Sequence, residues 1–291
     1  MTRVFAIGEV LWDMLPTGKK VGGAPGNFAY HCRKLGAEAD MISRVGNDEL
    51  GRELLAFYQS VGLSTEYLVV DEKYPTGAVD VELAPDGQPR YVFRDDVAWD
   101  HLQADAETLS LLQSADAICY GTLACRTAES FEAVKRMIHA APQHSLRVYD
   151  VNLRPPHYAK TTIIELLTLA NMLKLNDEEL PIVGQMLGYD ATDTSDAGLI
   201  ALSRQLLDRY QYKLLILTLG ERGSILMTPS ETSQYRSRPV QVVDTVGAGD
   251  AFTATTILGF LKNKPLEEIN KTASDLAAQV CTHPGAMTPY P

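Results

Sequence analysis

The sequence predicts an α/β fold, a doubly wound and mainly parallel sheet with a small β-sheet lid, and three observations carry that expectation. Short β-rich runs alternate with helical patterns along nearly the whole chain, the pattern of βαβ units. The apolar runs repeatedly end in polar or charged residues, as strands do where a crevice opens beyond their carboxyl ends. One segment alone breaks the alternation and reads as a hairpin.

Taken in order, RVFAIG, NFAYHCRKLG, ADMISRVG and ELGRELLAFYQSVG alternate strand and helix. ADAICYG, LRVYDVN, NMLKLN and KLLILTLG then read as buried strands, with AESFEAVKRMIHAA, TTIIELLTLA, the stretch from TSDAG to LLDRY and PLEEINKTASDLAAQVCT as helices. In YPTGAVDVELAPDGQPRYVFRDD, a VDVEL run, a PDGQ turn and a YVF run make an antiparallel hairpin. A lone hairpin is marginal in water, so residues 74–95 are expected to form a lid with residues from about 12 to 20 and to meet the same element of a second copy in a homodimer. Near the end, QVV reads as a short strand and AFTATTILGFLKN as a helix, with Ala254, Ile257, Leu258 and Leu261 at i, i+3, i+4 and i+7. No linker, charge block or repeat divides the chain, so residues 1–291 read as a single domain with the lid inserted.

Composition narrows the partners. The chain has 45% hydrophobic and 22% charged residues, ordinary for a globular protein, and its net charge of −11 argues against a nucleic-acid groove or an anionic membrane surface. Cys32, Cys119, Cys125 and Cys281 show no CxxC spacing and lie in apolar settings, which reads as buried, reduced thiols in a cytoplasmic protein. The N-terminus carries Glu9 and Asp13 where an export signal would be basic, and no apolar run approaches the ~18 residues of a membrane span.

Two glycine clusters are the candidate chemistry. In DTVGAGDAF, Gly247, Ala248 and Gly249 let backbone N–H groups converge at a helix start, a geometry suited to phosphate, with Asp250 inside the same cradle. Asp is also favoured at helix starts and GD occurs in ordinary turns, so this stretch alone leaves both readings open. In VGGAPGNFAYHCRKLG, Gly22, Gly23 and Gly26 precede a helix with Asn27 at its start, either a turn with a cap or a close backbone approach to a small polar ligand. Polar residues also follow the predicted strands: Asp13, then Asp150, Asn152 and Arg154, then Asn176 and Glu179, then Thr218 and Gly220. Neither GxxxxGK[ST] nor a GxGxxG after the first strand is present, which weighs against P-loop chemistry and a dinucleotide-linked oxidoreductase.

GGAPGNFAYHCRKLGAEADMISRVGNDELG and DTVGAGDAF resemble the two signature regions of the ribokinase-like (PfkB) carbohydrate kinases. YDVNLRPPHY, the NDEE of KLNDEEL and TLGERGS resemble that family's internal motifs in their usual order, so the resemblance spans essentially the whole chain. It implies a ribokinase-like fold and an ATP-dependent sugar kinase working with Mg²⁺, most like a fructokinase. Asp250 would be the base that accepts a sugar hydroxyl proton, and the backbone of Gly247, Ala248 and Gly249 the anion hole. Asp13, Gly23 and Asn27 match sugar-binding positions, and Arg94 and Arg154 match positions at the polar end of the substrate. Asn176 and Glu179 match the motif that organises Mg²⁺ through water, while Thr218, Gly220, Gly223, Ser274 and Ala278 match the nucleotide side. Backbone carbonyls near Asp244 and Gly285 match a K⁺ site. Alternatives carried alongside are a 2-keto-3-deoxygluconate kinase, whose substrate bears a carboxylate, and a sugar-binding regulator without turnover, against which the intact GAGD argues.

Overall fold

The computed structural model describes residues 1–83 and 89–290, so the PDGQ turn expected at 85–88 lies outside the described residues. The chain opens with β1 (Arg3–Ile7), then a hairpin of β2 (Leu11–Leu15) and β3 (Gly18–Gly22), followed by α1 (Ala24–Lys34), β4 (Glu38–Gly46), α2 (Glu49–Ser60) and β5 (Leu68–Asp71). The inserted hairpin is β6 (Gly77–Leu83) with β7 (Pro89–Phe93). Next come α3 (Ala106–Leu112), β8 (Ala117–Gly121), α4 (Ala128–Ala140), β9 (Leu146–Asp150), α5 (Lys160–Leu169) and β10 (Met172–Asn176). The chain continues through α6 (Glu179–Met186), α7 (Asp196–Tyr210), β11 (Leu214–Thr218), β12 (Ser224–Met227), β13 (Thr232–Tyr235), α8 (Ala248–Leu261) and α9 (Leu266–Val280).

The large sheet has nine strands in the order β13-β12-β11-β10-β9-β8-β1-β4-β5. It is parallel from β5 through β11 and closed at one edge by the antiparallel β12 and β13. Alternation along each strand divides the apolar residues between two layers. Phe5, Ile7, Ile118, Tyr120, Tyr149, Leu173 and Leu175 face the layer of α4 to α7, and Val4, Ala6, Ala117, Val148, Met172 and Ile216 face that of α1, α8 and α9. This is why the central strands read as continuous apolar runs. Helix starts follow local chemistry: the side chains of Asp48, Thr127 and Ser195 accept from the backbone N–H groups of Gly51, Ser130 and Gly198.

The smaller sheet has the order β3-β2-β6-β7, two antiparallel hairpins joined by a parallel pairing of β2 with β6. The expected pairing of the two lid segments is therefore present, with one parallel seam. Arg126 ties the lid's exit to the body: its guanidinium bonds both oxygens of Asp100 at 2.6 Å, donates to the Arg94 carbonyl at 2.5 Å, and stacks over Trp99.

Several expectations are corrected. QVV is not a strand: with β12 and β13 already closing the edge, Val242 and Val243 have no sheet neighbour and are 59% and 58% exposed. The helix expected from Ala251 begins at Ala248, three residues earlier, so Asp250 lies in its first turn, and residues 251–259 are buried all round, where a one-sided stripe was expected. Gly26 and Asn27 likewise fall inside α1, which starts at Ala24 behind Gly23. Cys32, Cys119 and Cys125 are buried free thiols as expected, whereas Cys281 is only partly buried. β5, α3, α6, β12 and β13 carry no element in the sequence reading.

Gly223 leads from β11 into β12 with φ at 111°, where an added Cβ would collide with the Tyr235 carbonyl on the neighbouring strand. Gly223→Ala is expected to lower stability by about 1–3 kcal/mol, the usual cost of a side chain in such a conformation, read as a reduced urea midpoint at constant slope.

Candidate active site

The order of strands fixes where a ligand can sit. After β1 the chain builds β4 and β5 on one side, then returns to place β8 to β11 on the other, so the topology switches between β1 and β8. Beyond the carboxyl ends of such a pair the connections diverge and leave a crevice. A cavity lies at that point, lined by Glu9 after β1, Pro25 and Phe28 of α1, Thr122 after β8, Asp150 at the end of β9, and Asp250.

Asp250 reaches the cavity through the turn before α8. Gly247 holds φ at 81°, and an added Cβ there would lie 2.5 Å from that of Ala286, so only glycine lets the turn pack against the C-terminal segment. Of the expected anion hole, the Ala248 amide instead donates to the Thr245 carbonyl at 3.3 Å, while the amides of Gly249 and Asp250, among the first donors of the helix, have no acceptor within α8 and are free for an anion. The Asn27 amide donates to Asp250 Oδ2 at 2.8 Å, joining the two glycine clusters across the sequence. Asn27 Oδ1 keeps no partner among the described residues. Behind α1, His31 Nε2 donates to the Ala286 carbonyl at 3.0 Å and Nδ1 accepts from the Tyr290 hydroxyl at 2.9 Å. Burial holds this imidazole neutral, down to about 4. The Asp244 carboxylate accepts from Gly285 N and Val246 N, so the two loops expected near a K⁺ site are bonded to each other.

Charge is concentrated beneath this turn. Lys174 Nζ lies 2.9 Å from Asp150 Oδ1, both buried, and 3.6 Å from where a Cβ on Gly249 would stand. Burial opposes the Lys174 charge, but Asp150 and Glu179 outweigh it and hold the ammonium well above its ordinary range. The Asp250 carboxyl is raised by burial against the opposing pull of Asn27, Lys174 and Arg154, so the helix terminus does not leave it at an ordinary acidity. Burial likewise raises Asp13, on β2, with Arg154 and Lys20 opposing. Burial pushes Glu9 up to about 7. Gly23 lets α1 start against β1's exit, since a Cβ there would stand 2.6 Å from the Glu9 carbonyl.

The remaining expected residues divide. Arg154 is exposed and its charge is felt by Glu9, Asp13, Asp150 and Asp250. Arg94 does not join that group: its guanidinium makes two 2.9 Å bonds to Asp80 on the lid. Asn176 caps α6, accepting from the amides of Glu178 and Glu179, and the buried Glu179 accepts from Leu153 N and Asn176 N, one on each oxygen. Thr218 and Gly220 stand at the carboxyl end of β11, and Ala278 is half-buried on α9. Ser274 is placed differently from the expectation: its hydroxyl is buried and bonded to that of Ser224 at 2.9 Å, tying α9 to β12. Glu9 and Lys174 are members of the cluster that the sequence reading did not assign. Glu9 is the first polar residue after the first strand, and Lys174 the single charge inside the apolar run NMLKLN.

The profile of the pfkB family carbohydrate kinases matches residues 9–291. Fructokinase-1 of Oryza sativa subsp. japonica is 30% identical over 99% of this chain and 94% of its own length. A sugar kinase of Pyrococcus horikoshii, solved in complex with ATP, is 28% identical and superposes over 98% of this chain and 94% of its own with a TM-score of 0.83. The 2-dehydro-3-deoxygluconokinase of Thermotoga maritima shares the fold at a TM-score of 0.86 over 100% of this chain and 97% of its own, with 18% identity.

Removing the cation beneath the turn tests the charge arrangement. Lys174→Met leaves Asp150 buried without its partner and is expected to cost about 3–5 kcal/mol in stability. Because Lys174 pulls the Asp250 carboxyl down, its loss should move that titration to higher pH, as followed by carboxyl-carbon NMR.

Proposed function

The chain is a member of the pfkB family of carbohydrate kinases, ATP-dependent phosphotransferases, and from that premise we propose that its substrate is a ketohexose, fructose, phosphorylated with Asp250 as base. The observation that carries the reading is the 2.8 Å bond from Asn27 to Asp250, which sets a sugar-binding amide and a base side by side. With its N–H spent on the base, Asn27 offers Oδ1 to a sugar hydroxyl, and Asp13 offers a carboxylate further out. Asp250 takes the proton as the hydroxyl oxygen attacks the γ-phosphorus, and the amides at the start of α8 hold the phosphoryl oxygens in place.

Among the described residues no group of three or more His, Cys, Asp or Glu forms a direct metal cage. The residues present fit Mg²⁺, which keeps its waters and is bound largely through substrate phosphates: Glu179 accepts a single amide on each oxygen beside Asn176, leaving lone pairs through which the two would reach the ion by way of water. Bound there, Mg²⁺ neutralises phosphate charge. The four-stranded sheet serves as the lid, excluding water that would compete for the γ-phosphate. A second reading, a 2-keto-3-deoxygluconate kinase, is favoured by Arg154, which bonds only the Leu153 carbonyl among the described residues and is free to meet a substrate carboxylate.

ADP release measured over a panel of sugars and sugar acids decides between the two: fructose should turn over fastest, and preference for a keto-acid would replace the first reading by the second. Asp250→Asn should lower sugar-dependent turnover by ~10²–10⁴ while the variant still folds and binds ATP, because an amide cannot take the proton. Asp13→Ala should raise the sugar KM far more than the ATP KM, since a charged hydrogen bond worth roughly 1.5–3 kcal/mol is lost at the sugar alone. Equal losses for both substrates would point to general unfolding.

A further inference from the structure

Glu9 is the buried carboxyl that the chemistry above leaves idle. It is 3% exposed, its Oε2 has no hydrogen-bond partner among the described residues, and it stands at the switch point between β1 and β8. It lines the same cavity as Asp250 and Asp150. About 20 Å³ of that cavity is open to a water-sized sphere, and a single water needs roughly 10–15 Å³ and two or more polar partners. The carboxyl groups of Glu9, Asp150 and Asp250 around it supply those partners.

On the reading of Asp250 as the base, we propose that Glu9 is the proton store of the site, receiving through one water in this cavity the proton that Asp250 took from the sugar. In the first step the sugar hydroxyl proton passes to Asp250, the hydroxyl oxygen bonds the γ-phosphorus, and the bond from that phosphorus to the bridging oxygen breaks with its electron pair leaving on ADP. In the second, Asp250 gives its proton to the water as the water gives one of its own to Glu9 Oε2. The Asp250 carboxylate is restored, the water is unchanged, and Glu9 is neutral until its proton leaves to solvent as the product departs, which readies the site for the next turnover.

The surroundings set the direction of that transfer. Burial pushes the Glu9 carboxyl up to about 7, its own backbone amide and Arg154 of the loop after β9 oppose, and Asp250 on α8 and Asp150 at the end of β9 add to the rise. Tyr58 of α2 and Cys125 of the turn before α4 also feel Glu9, and burial pushes both up, so they stay neutral. Asp250 is raised by burial as well, but its Oδ2 accepts the Asn27 amide, a bond that favours the ionised form, whereas Glu9 Oε2 has no donor among the described residues, so the proton rests better on Glu9.

The test compares the first turnover with the steady state. Glu9→Gln should keep a first burst of ADP, lower the steady-state rate at least about tenfold, and abolish the inflexion of the wild-type pH profile near neutrality. Wild-type protein should also show a protonated-carboxyl infrared band that titrates near pH 7, with or without substrate. Stability gives a readout independent of turnover. A carboxyl bound more tightly to its proton in the folded state loses its contribution as pH rises from the unfolded value of 4.5 toward 7. The melting temperature of Glu9→Gln should therefore gain on the wild type over that range. An unchanged pH profile and rate in Glu9→Gln, or wild-type protein without the titrating band, overturns the proposal. In that event, loss of the burst in Asp250→Asn would leave the base in place, whereas a burst surviving in Asp250→Asn would overturn both.

Discussion

The bond from Asn27 to Asp250 is the contact on which the site depends, because it joins two helix N-termini that the chain delivers from opposite ends of the sequence. α1 follows the first lid hairpin and α8 follows the last strand, and both pack on one face of the sheet. Their first turns point toward the switch between β1 and β8. A single side-chain amide therefore links the two glycine clusters. The C-terminal segment reinforces the arrangement, with Ala286 packed against Gly247 and held by the neutral His31 imidazole.

The second constraint is electrostatic. Glu9, Asp150, Glu179 and Asp250 are all largely buried near one another, and Lys174 is the buried cation among them. Isolated carboxylates in such surroundings take up protons, so the ion pair of Lys174 with Asp150 decides how much negative charge the interior can hold. Burial raises the Asp250 carboxyl, and the Asn27 amide, Lys174 and Arg154 oppose that rise. Glu179 accepts one backbone amide on each oxygen, which fixes the end of β10 against the loop after β9.

Much of this was legible in the sequence. The alternation of strand and helix, the polar residues at strand ends and the two glycine clusters located the central strands, both lid segments and the cradle at Gly247, because local periodicity reflects burial on two faces of a sheet. The edge elements were not legible. SILM and TSQY are too short and mixed to stand out, and QVV resembles a strand more than they do, yet pairing requires a free neighbouring edge, which a local pattern cannot supply. Ser274 followed the same logic on the site side: its hydroxyl is drawn inward by Ser224, a partner on another strand.

The sequence by itself determined the fold class, the family and the residue types able to cradle a phosphate and accept a proton, because these depend on periodicity, backbone freedom and side-chain chemistry that are local. Only the tertiary structure decided which of those residues meet. It committed Arg94 to Asp80, left the Arg154 guanidinium bonded only to the Leu153 carbonyl among the described residues, placed Lys174 beneath Gly249, and set Glu9 in the cavity of Asp250 with one oxygen unpartnered among those residues. Burial and the distance between charges, which fix how tightly each carboxyl holds its proton, come into being only when strands far apart in the chain lie side by side.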